Sequence, residues 1–446
     1  MKMIEEAIGI SDIGLYVPTP RMDLRTLTDE RVATVPQLRR HFDRAIRVTG
    51  QRAIRFPRPW EDTATMAAEA TAGLLDRLPA ERIRRLRSLA VGTESAVDHS
   101  KPVSAYVQGM LTKGGYPIPE TLASYQVQHA CAAGTMSLLN VAGNLALTGL
   151  SEEFGIAVCS DVARYEGKST AEVTQGAGSV AMLVERNPKL VALDLEHVGY
   201  CSRDVDDFFR PLGSVTAKVK GQYSMQCYRQ NLDGALADYA GRAGTTVKDL
   251  LASTDYFVLH APFRNMPAMA LERLIQSELG LDETGTQEFL AQRGFYDAYE
   301  VVADVGNIYT GSMYLSLASL LSRRYQAEGN GIVGKRILFA SYGSGNTMIV
   351  YSGTVAAQAP TVIPQWGQSV VDEGLASSME GYEIWMHQEH IRDHAQEMPL
   401  RLEVPAGRYY LASRRDDGYR EYAFAQAATS WPTTAAAPQT VEAQRR

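Results

Sequence analysis

Short apolar runs, each ending on a polar residue, alternate along the chain with longer amphipathic stretches. The run SLAVGTES (88–95) predicts a strand that ends on Glu94. ASYQVQHAC (123–131) predicts a second strand, ending on Cys131. The Ala-, Leu- and Met-rich AAGTMSLLNVAGNLALTG that follows has helical spacing, with Gly149 as its stop. FGIAVCSD (154–161) predicts a third strand, and the glycine-rich GAGS (176–179) leads into a fourth, VAMLVE. The second half runs in the same order. DYFVLHAPF (255–263) predicts a strand ending on His260, and EVVADVGN (300–307) a strand ending near Asn307. IYTGSMYLSLASLLSRR then predicts a helix, RILFASY (336–342) a strand, and GSGN (343–346) a turn into TMIVYS.

Alternation of strands and helices predicts an α/β protein. The shared order predicts two similar βαβ-rich halves packed face to face, residues 1–195 and 196–425. Residues 200–250, mixed in charge and rich in aromatics, are expected to form a cap or binding segment on the second half. The 355–425 stretch adds a helix in EGYEIWMHQEHIRDHA and strands in LRLEVPAG and RYYLAS. Residues 426–446, built of Ala, Thr, Pro and Gln, read as a disordered tail.

Composition narrows the function. The chain has 446 residues, 45% of them hydrophobic, which is ample for a buried core. Its 44 basic and 51 acidic residues leave a net charge of −7, against nucleic acid or an anionic membrane as main partner. No apolar run reaches the ~20 residues of a membrane span. The opening MKMIEEAIGISDIG does not read as a secretory signal, so a cytoplasmic enzyme is expected. Four cysteines without a CxxC pair build neither a disulfide scaffold nor a zinc site. His387, His390 and His394 have helical spacing, but the acids among them point to a solvated face, and no metal site is expected. The Gly-x-Gly turns lack the strand–GxGxxG–helix setting of a dinucleotide site, and there is no P-loop.

Cys131 has the best setting for a nucleophile. A thiol where a strand turns into a helix meets amide N–H groups that favour the thiolate and would lower its pKa. Small neighbours, Ala132, Ala133 and Gly134, leave room for a thioester. Each candidate also has a plain reading: a buried packing cysteine, a core His260, a surface Glu94, an Asn307 that caps a helix. Together, a thiol, a carboxylate, an imidazole and an amide at strand ends suit acyl transfer followed by carbon–carbon bond formation.

Nine segments carry a resemblance: GTESAVDHSK (92–101), HACAAGT (129–135), DVARYEG (161–167), TQGAGSVAML (174–183), DVDDFFRP (204–211), GQYSMQCY (221–228), HAPFRNM (260–266), VGNIYTGSMYLSLASLL (305–321) and SYGSGN (341–346). In this order they resemble the 3-hydroxy-3-methylglutaryl-CoA synthase family of the thiolase-like superfamily. The resemblance implies duplicated βαβαβ halves in a five-layered αβαβα arrangement, and a homodimer. It implies condensation of acetyl-CoA with acetoacetyl-CoA, with coenzyme A thioesters as substrates and no resident cofactor. Cys131 would carry the acetyl group, Glu94 act as base and His260 polarise the second substrate. Tyr165, Asn307, Ser344 and Gly345 would line its site. Two departures stand out. His129-Ala130-Cys131-Ala132-Ala133 replaces the usual Glu-Ala-Cys-Tyr/Ser-Gly, and Asn265 stands where the family has a lysine linked to coenzyme A, leaving Arg264 as a substitute phosphate contact. The departures admit two alternatives: a synthase that works on acyl carrier protein to install β-branches in polyketides, and a non-catalytic scaffold of the same fold.

Overall fold

The computed structural model describes residues 6–426 except 149, 215, 388–395 and 398–403. The expected stop at Gly149, His390 and His394, the first half of the expected strand LRLEVPAG and nearly all of the 426–446 tail lie outside these residues.

Nine strands form one sheet. They are β1 (Ile8–Tyr16), β2 (Leu86–Gly92), β3 (Ala123–Val127), β4 (Phe154–Ala163), β5 (Gly176–Arg186), β6 (Val191–Ser202), β7 (Tyr256–Leu259), β8 (Arg336–Gly343) and β9 (Thr347–Val355). Their order is β7-β8-β9-β6-β1-β5-β4-β2-β3. The first half contributes β3-β2-β4-β5-β1, with β2 parallel to β3 and β4, and β5 antiparallel to β4 and β1. The second contributes β7-β8-β9-β6 with the same directions. The sets join where Gly9 pairs with Ala192 and Ile10 with Val191. Strand β6 runs across the expected 195/196 division.

The halves match except for one strand. EVVADVGN, expected to be a strand, is the helix α7 (Glu300–Val305). Its valines suggest β structure, but Val302 and Val305 lie on one buried face, while Glu300 and Asp304 pair with Arg52. An i, i+3 apolar pair with acids between fits a helix turn better than a period of two. Gly306 ends the turn at φ +90; a Cβ there would sit 1.8 Å from the Gln175 oxygen. The GAGS stretch, expected as a turn, lies inside β5 and is buried throughout.

The remaining helices used below are α1 (Leu24–Thr34), α2 (Leu38–Thr49), α3 (Thr63–Leu75), α4 (Val103–Lys113), α5 (Ala133–Thr148), α6 (Gly221–Arg242), α8 (Thr310–Glu328) and α9 (Met379–His387). Helices α3 and α4 cover the outer face of the first strand set, and α6 covers the second. Between the sets lie α5, against strands of the first, and α8, which touches α5 and strands of both. This is the layering of a thiolase-like fold. Residues 310–322 of α8 are buried without a break, so its first three turns have no solvent-exposed face, as expected of a helix inside a core.

The two central helices begin beside one another. The Thr310 hydroxyl donates to the Cys131 carbonyl (2.6 Å) and accepts from the Gly134 N–H (3.1 Å). Such an approach needs missing side chains. A Cβ on Gly92 would lie 2.3 Å from the Gly134 nitrogen, and one on Gly134 the same distance from Cys159 Sγ. Gly134→Ala is therefore expected to lower unfolding stability by about 1–3 kcal/mol, as overpacking does in close-packed cores. Denaturant titration checks this; an unchanged midpoint would show that the junction has slack.

Candidate active site

Cys131 sits in a single 3₁₀ turn (Ala130–Ala132) between β3 and α5. Ala130 adopts φ +38, a strained value for a residue with a Cβ. Gly343, at the end of β8, passes so close that a Cβ would meet Ala132 Cβ at 2.7 Å. The nucleophile turn of one half is thus wedged against a strand end of the other.

A cavity of about 710 Å³ opens onto this turn, and Cys131, Tyr165, His260, Asn307 and Ser344 line it. These expected residues converge. Asn307 Nδ2 donates to the Tyr165 hydroxyl (3.2 Å), and its Oδ1 accepts from the Tyr309 N–H (2.9 Å). His260 is 1% exposed and faces the Tyr228 ring. Burial pushes its pKa down to about 3, so the imidazole is neutral at pH 7. Its Nδ1 has no hydrogen-bond partner among the described residues.

Glu94 lies just behind the lining. Arg210 donates to its Oε1 (2.6 Å) and also reaches the Tyr309 hydroxyl (3.1 Å). Burial still raises the Glu94 pKa, opposed by Arg210 and Tyr309. The Glu94 N–H donates to Asp161 Oδ1 (3.0 Å), which also accepts from Thr93, the Ser95 N–H and the Ser95 hydroxyl. Asp161 Oδ2 is buried without a partner among the described residues, and burial and Glu94 lift this carboxyl to about 7.

Three expectations need correction. The Cys131 thiol is pushed well up, not down: burial comes first, then the Glu94, Asp161 and Asp207 carboxylates, and together they outweigh the helix terminus. Arg264 does not line the cavity. Its guanidinium is held by Glu300 and by Asn265 Oδ1, while Asn265 Nδ2 donates to the Val48 carbonyl. Gly345 does not line the cavity, and its N–H donates to Asp207 Oδ1 (2.9 Å). Asp207 also accepts from Tyr342 and Ser224 and so pins the loop carrying Ser344.

Arg210, Tyr309, Asp161 and Asp207 were missed as site residues. Arg210 and Asp207 stand in DVDDFFRP, within the segment expected to form a cap or binding element, but neither was singled out there. A signal was available, since Phe208, Phe209 and Pro211 flank them.

With this geometry in place, the comparisons with known proteins decide the family. Models of the N-terminal and C-terminal parts of hydroxymethylglutaryl-coenzyme A synthase match residues 5–189, and 191–296 with 285–424. The hydroxymethylglutaryl-CoA synthase of Haloferax volcanii is 33% identical over 380 residues, covering 75% of this chain and 82% of its own. The Enterococcus faecalis enzyme of the same name is 30% identical over 350 residues, covering 78% and 83%. The chain belongs to the hydroxymethylglutaryl-CoA synthase family. A solved structure of MvaS in complex with 3-hydroxy-3-methylglutaryl coenzyme A superposes with a TM-score of 0.78 at 31% identity, covering 96% of this synthase-family chain and all of its own. A curacin-pathway HMG synthase in complex with holo donor-ACP has a TM-score of 0.81 at 23% identity, which shows a shared fold.

The thiol of this family member should respond to its carboxylate neighbours. Glu94→Gln removes one negative charge, which lowers the Cys131 pKa and raises its thiolate fraction at pH 8. Iodoacetamide should then modify Cys131 several-fold faster than in wild type, read by intact mass. A slower reaction would place Glu94 as the group that takes the thiol proton.

Proposed function

We propose that this chain condenses an acetyl thioester with an acetoacetyl thioester to form a 3-hydroxy-3-methylglutaryl thioester. The carrying observation is the convergence of Cys131, His260, Asn307 and Tyr165 on one cavity, with Glu94 behind it, in a member of this family.

The Cys131 sulfur attacks the acetyl carbonyl, and the carrier leaves as its thiol, taking up a proton. Glu94 then removes a methyl proton from acetyl-Cys131. A thioester methyl is a weak acid, so the base must be strong and the enolate held by fixed dipoles in a dry site. Burial raises the basicity of Glu94, and Arg210 opposes that shift by favouring the carboxylate form. The enolate carbon bonds to C3 of the acetoacetyl group, whose oxygen becomes a tertiary hydroxyl. Neutral His260 and the Asn307–Tyr165 pair are assigned to this second substrate. The Cys131 N–H and a main-chain N–H near Ser344 are assigned to the thioester oxygen. Water finally releases Cys131.

Free coenzyme A is the carrier in this reading. Its support is the structural relative at 31% identity, solved in complex with 3-hydroxy-3-methylglutaryl coenzyme A; the neighbours that carry ACP lie below 25%. The cavity wall includes His41 and the exposed cations Arg44 and Lys218, and the two cations replace Arg264 as the candidates for phosphate. A carrier protein is the second reading, favoured by Asn265 and by the exposed Phe209, Leu212 and Val219 beside Lys218.

Acetyl-CoA is expected to add one acetyl group to Cys131, absent in Cys131→Ala. In Glu94→Gln this adduct should still form, while condensation falls ~10²–10⁴-fold, the usual loss for a general base. Turnover with acetyl- and acetoacetyl-CoA should equal or exceed turnover with the same groups on carrier protein. An adduct with neither carrier overturns the proposal and leaves the scaffold reading.

A homodimer is part of the same proposal. Strand β7 ends the sheet under helices, with all four residues buried. Strand β3 ends it on the other side, with all five residues partly or fully exposed and one backbone edge unpaired among the described residues. Open edges of that kind invite a second strand. Analytical ultracentrifugation should return twice the chain mass at micromolar concentration; a monomer there would contradict it.

A further inference from the structure

Helix α9 belongs to the C-terminal stretch and lies outside the cavity. Its Tyr382 is buried completely and reaches the site through the Gln175 side chain. Gln175 Nε2 donates to the Tyr382 hydroxyl (2.6 Å), and that hydroxyl donates to Glu172 Oε1 (3.1 Å). Gln175 Oε1 in turn accepts from the Tyr165 N–H (2.7 Å). Thr174, its neighbour, accepts from the Asn307 N–H (3.0 Å).

All of these contacts bear on one segment, residues 164–175. It supplies Tyr165, Glu166, Ser169, Thr170, Ala171 and Thr174 to the cavity wall. Its buried anchor is Glu172, which accepts from Arg31 Nη2 of α1 (2.6 Å) and the Lys168 N–H (2.6 Å). Arg31 also grips Glu383 on α9. The side chain of Arg164, at the start of the segment, lies over the Trp385 ring at 4.7 Å.

A primary amide has one donor end and one acceptor end. With Glu172 accepting the Tyr382 proton, the Tyr382 oxygen is left to accept from Gln175. That choice turns the Gln175 carbonyl towards Tyr165. We propose that Tyr382 is a positioning residue for the second half-reaction: its hydroxyl sets the Gln175 amide, and the amide sets the Tyr165–Asn307 pair that meets the acetoacetyl group. This inference rests on the functional reading above, and it gives the C-terminal helix a part in the chemistry.

The first half-reaction does not need that pair. Tyr382→Phe keeps the ring and removes the hydroxyl, so acetylation of Cys131 by acetyl-CoA should proceed at the wild-type rate. Condensation should lose between about tenfold and a hundredfold in kcat/KM, the scale of a displaced positioning group, mostly through the KM for acetoacetyl-CoA. Gln175→Met, close in shape and without an amide, should give the same split and serves should Tyr382→Phe fail to fold. Trp385→Phe keeps all three hydrogen bonds and should lower Tm with the two steps changed equally or not at all. Equal losses in both steps for Tyr382→Phe, no loss in either, or a split of the same size in Trp385→Phe would overturn the proposal. A wild-type enzyme that takes up no acetyl group would instead overturn the functional reading beneath it.

Discussion

The meeting of two helix starts at Thr310 is the constraint on which the rest depends. One hydroxyl joins the Cys131 carbonyl to the Gly134 amide across the halves. It holds α5 and α8 in register and sets where the thiol points. That junction exists only because Gly92, Gly134 and Gly343 lack a Cβ, since each replacement would intrude on backbone or sulfur at under 3 Å. The strained Ala130 is part of the same arrangement: the chain must turn within one residue to leave β3 and enter α5. Strain of this sort persists where surrounding packing over-determines the backbone.

Burial follows from that packing, and it shapes the electrostatics. A thiol, two carboxyls and an imidazole share a region nearly closed to water. Each is moved towards its neutral form: Cys131, Glu94 and Asp161 upward, His260 downward. Arg210 is the counterweight, 2.6 Å from Glu94 and itself largely buried. A helix terminus alone would have favoured thiolate, but its partial charge is smaller than the cost of placing an anion among carboxylates in low dielectric. The site therefore rests with a protonated sulfur, and the proton must move as the carbon–sulfur bond forms.

Much of this was legible in the chain. The apolar runs located β2, β3, β4, β7, β8 and β9, and the polar residues ending them marked Glu94, Cys131 and His260. The order of the halves was legible too, because period-two runs and long apolar helices differ strongly in pattern. EVVADV misled because β-branched residues raise strand propensity while tertiary packing decides. Arg210 was illegible for another reason. It lies 116 positions from Glu94, and a cation among aspartates looks solvated until the chain is folded. Arg264 failed in reverse, since nothing local announces that Glu300 will occupy it.

Two different solutions to holding a buried polar group appear side by side. Asp161 Oδ1 is filled by Thr93, Glu94 and Ser95, three consecutive residues of the loop that follows the neighbouring strand β2, while its Oδ2 has no partner among the described residues. Glu172 is satisfied from three elements far apart in the chain: α1, the 164–175 segment and α9. The first arrangement assembles when β2 pairs with β4. The second is complete only when the C-terminal helix docks, because Arg31 alone would leave the Gln175 amide without an acceptor. A half-satisfied buried network is costly, so α9 and the cavity wall stand or fall as one unit. The long separation in sequence thereby couples completion of the fold to completion of the wall that faces the second substrate.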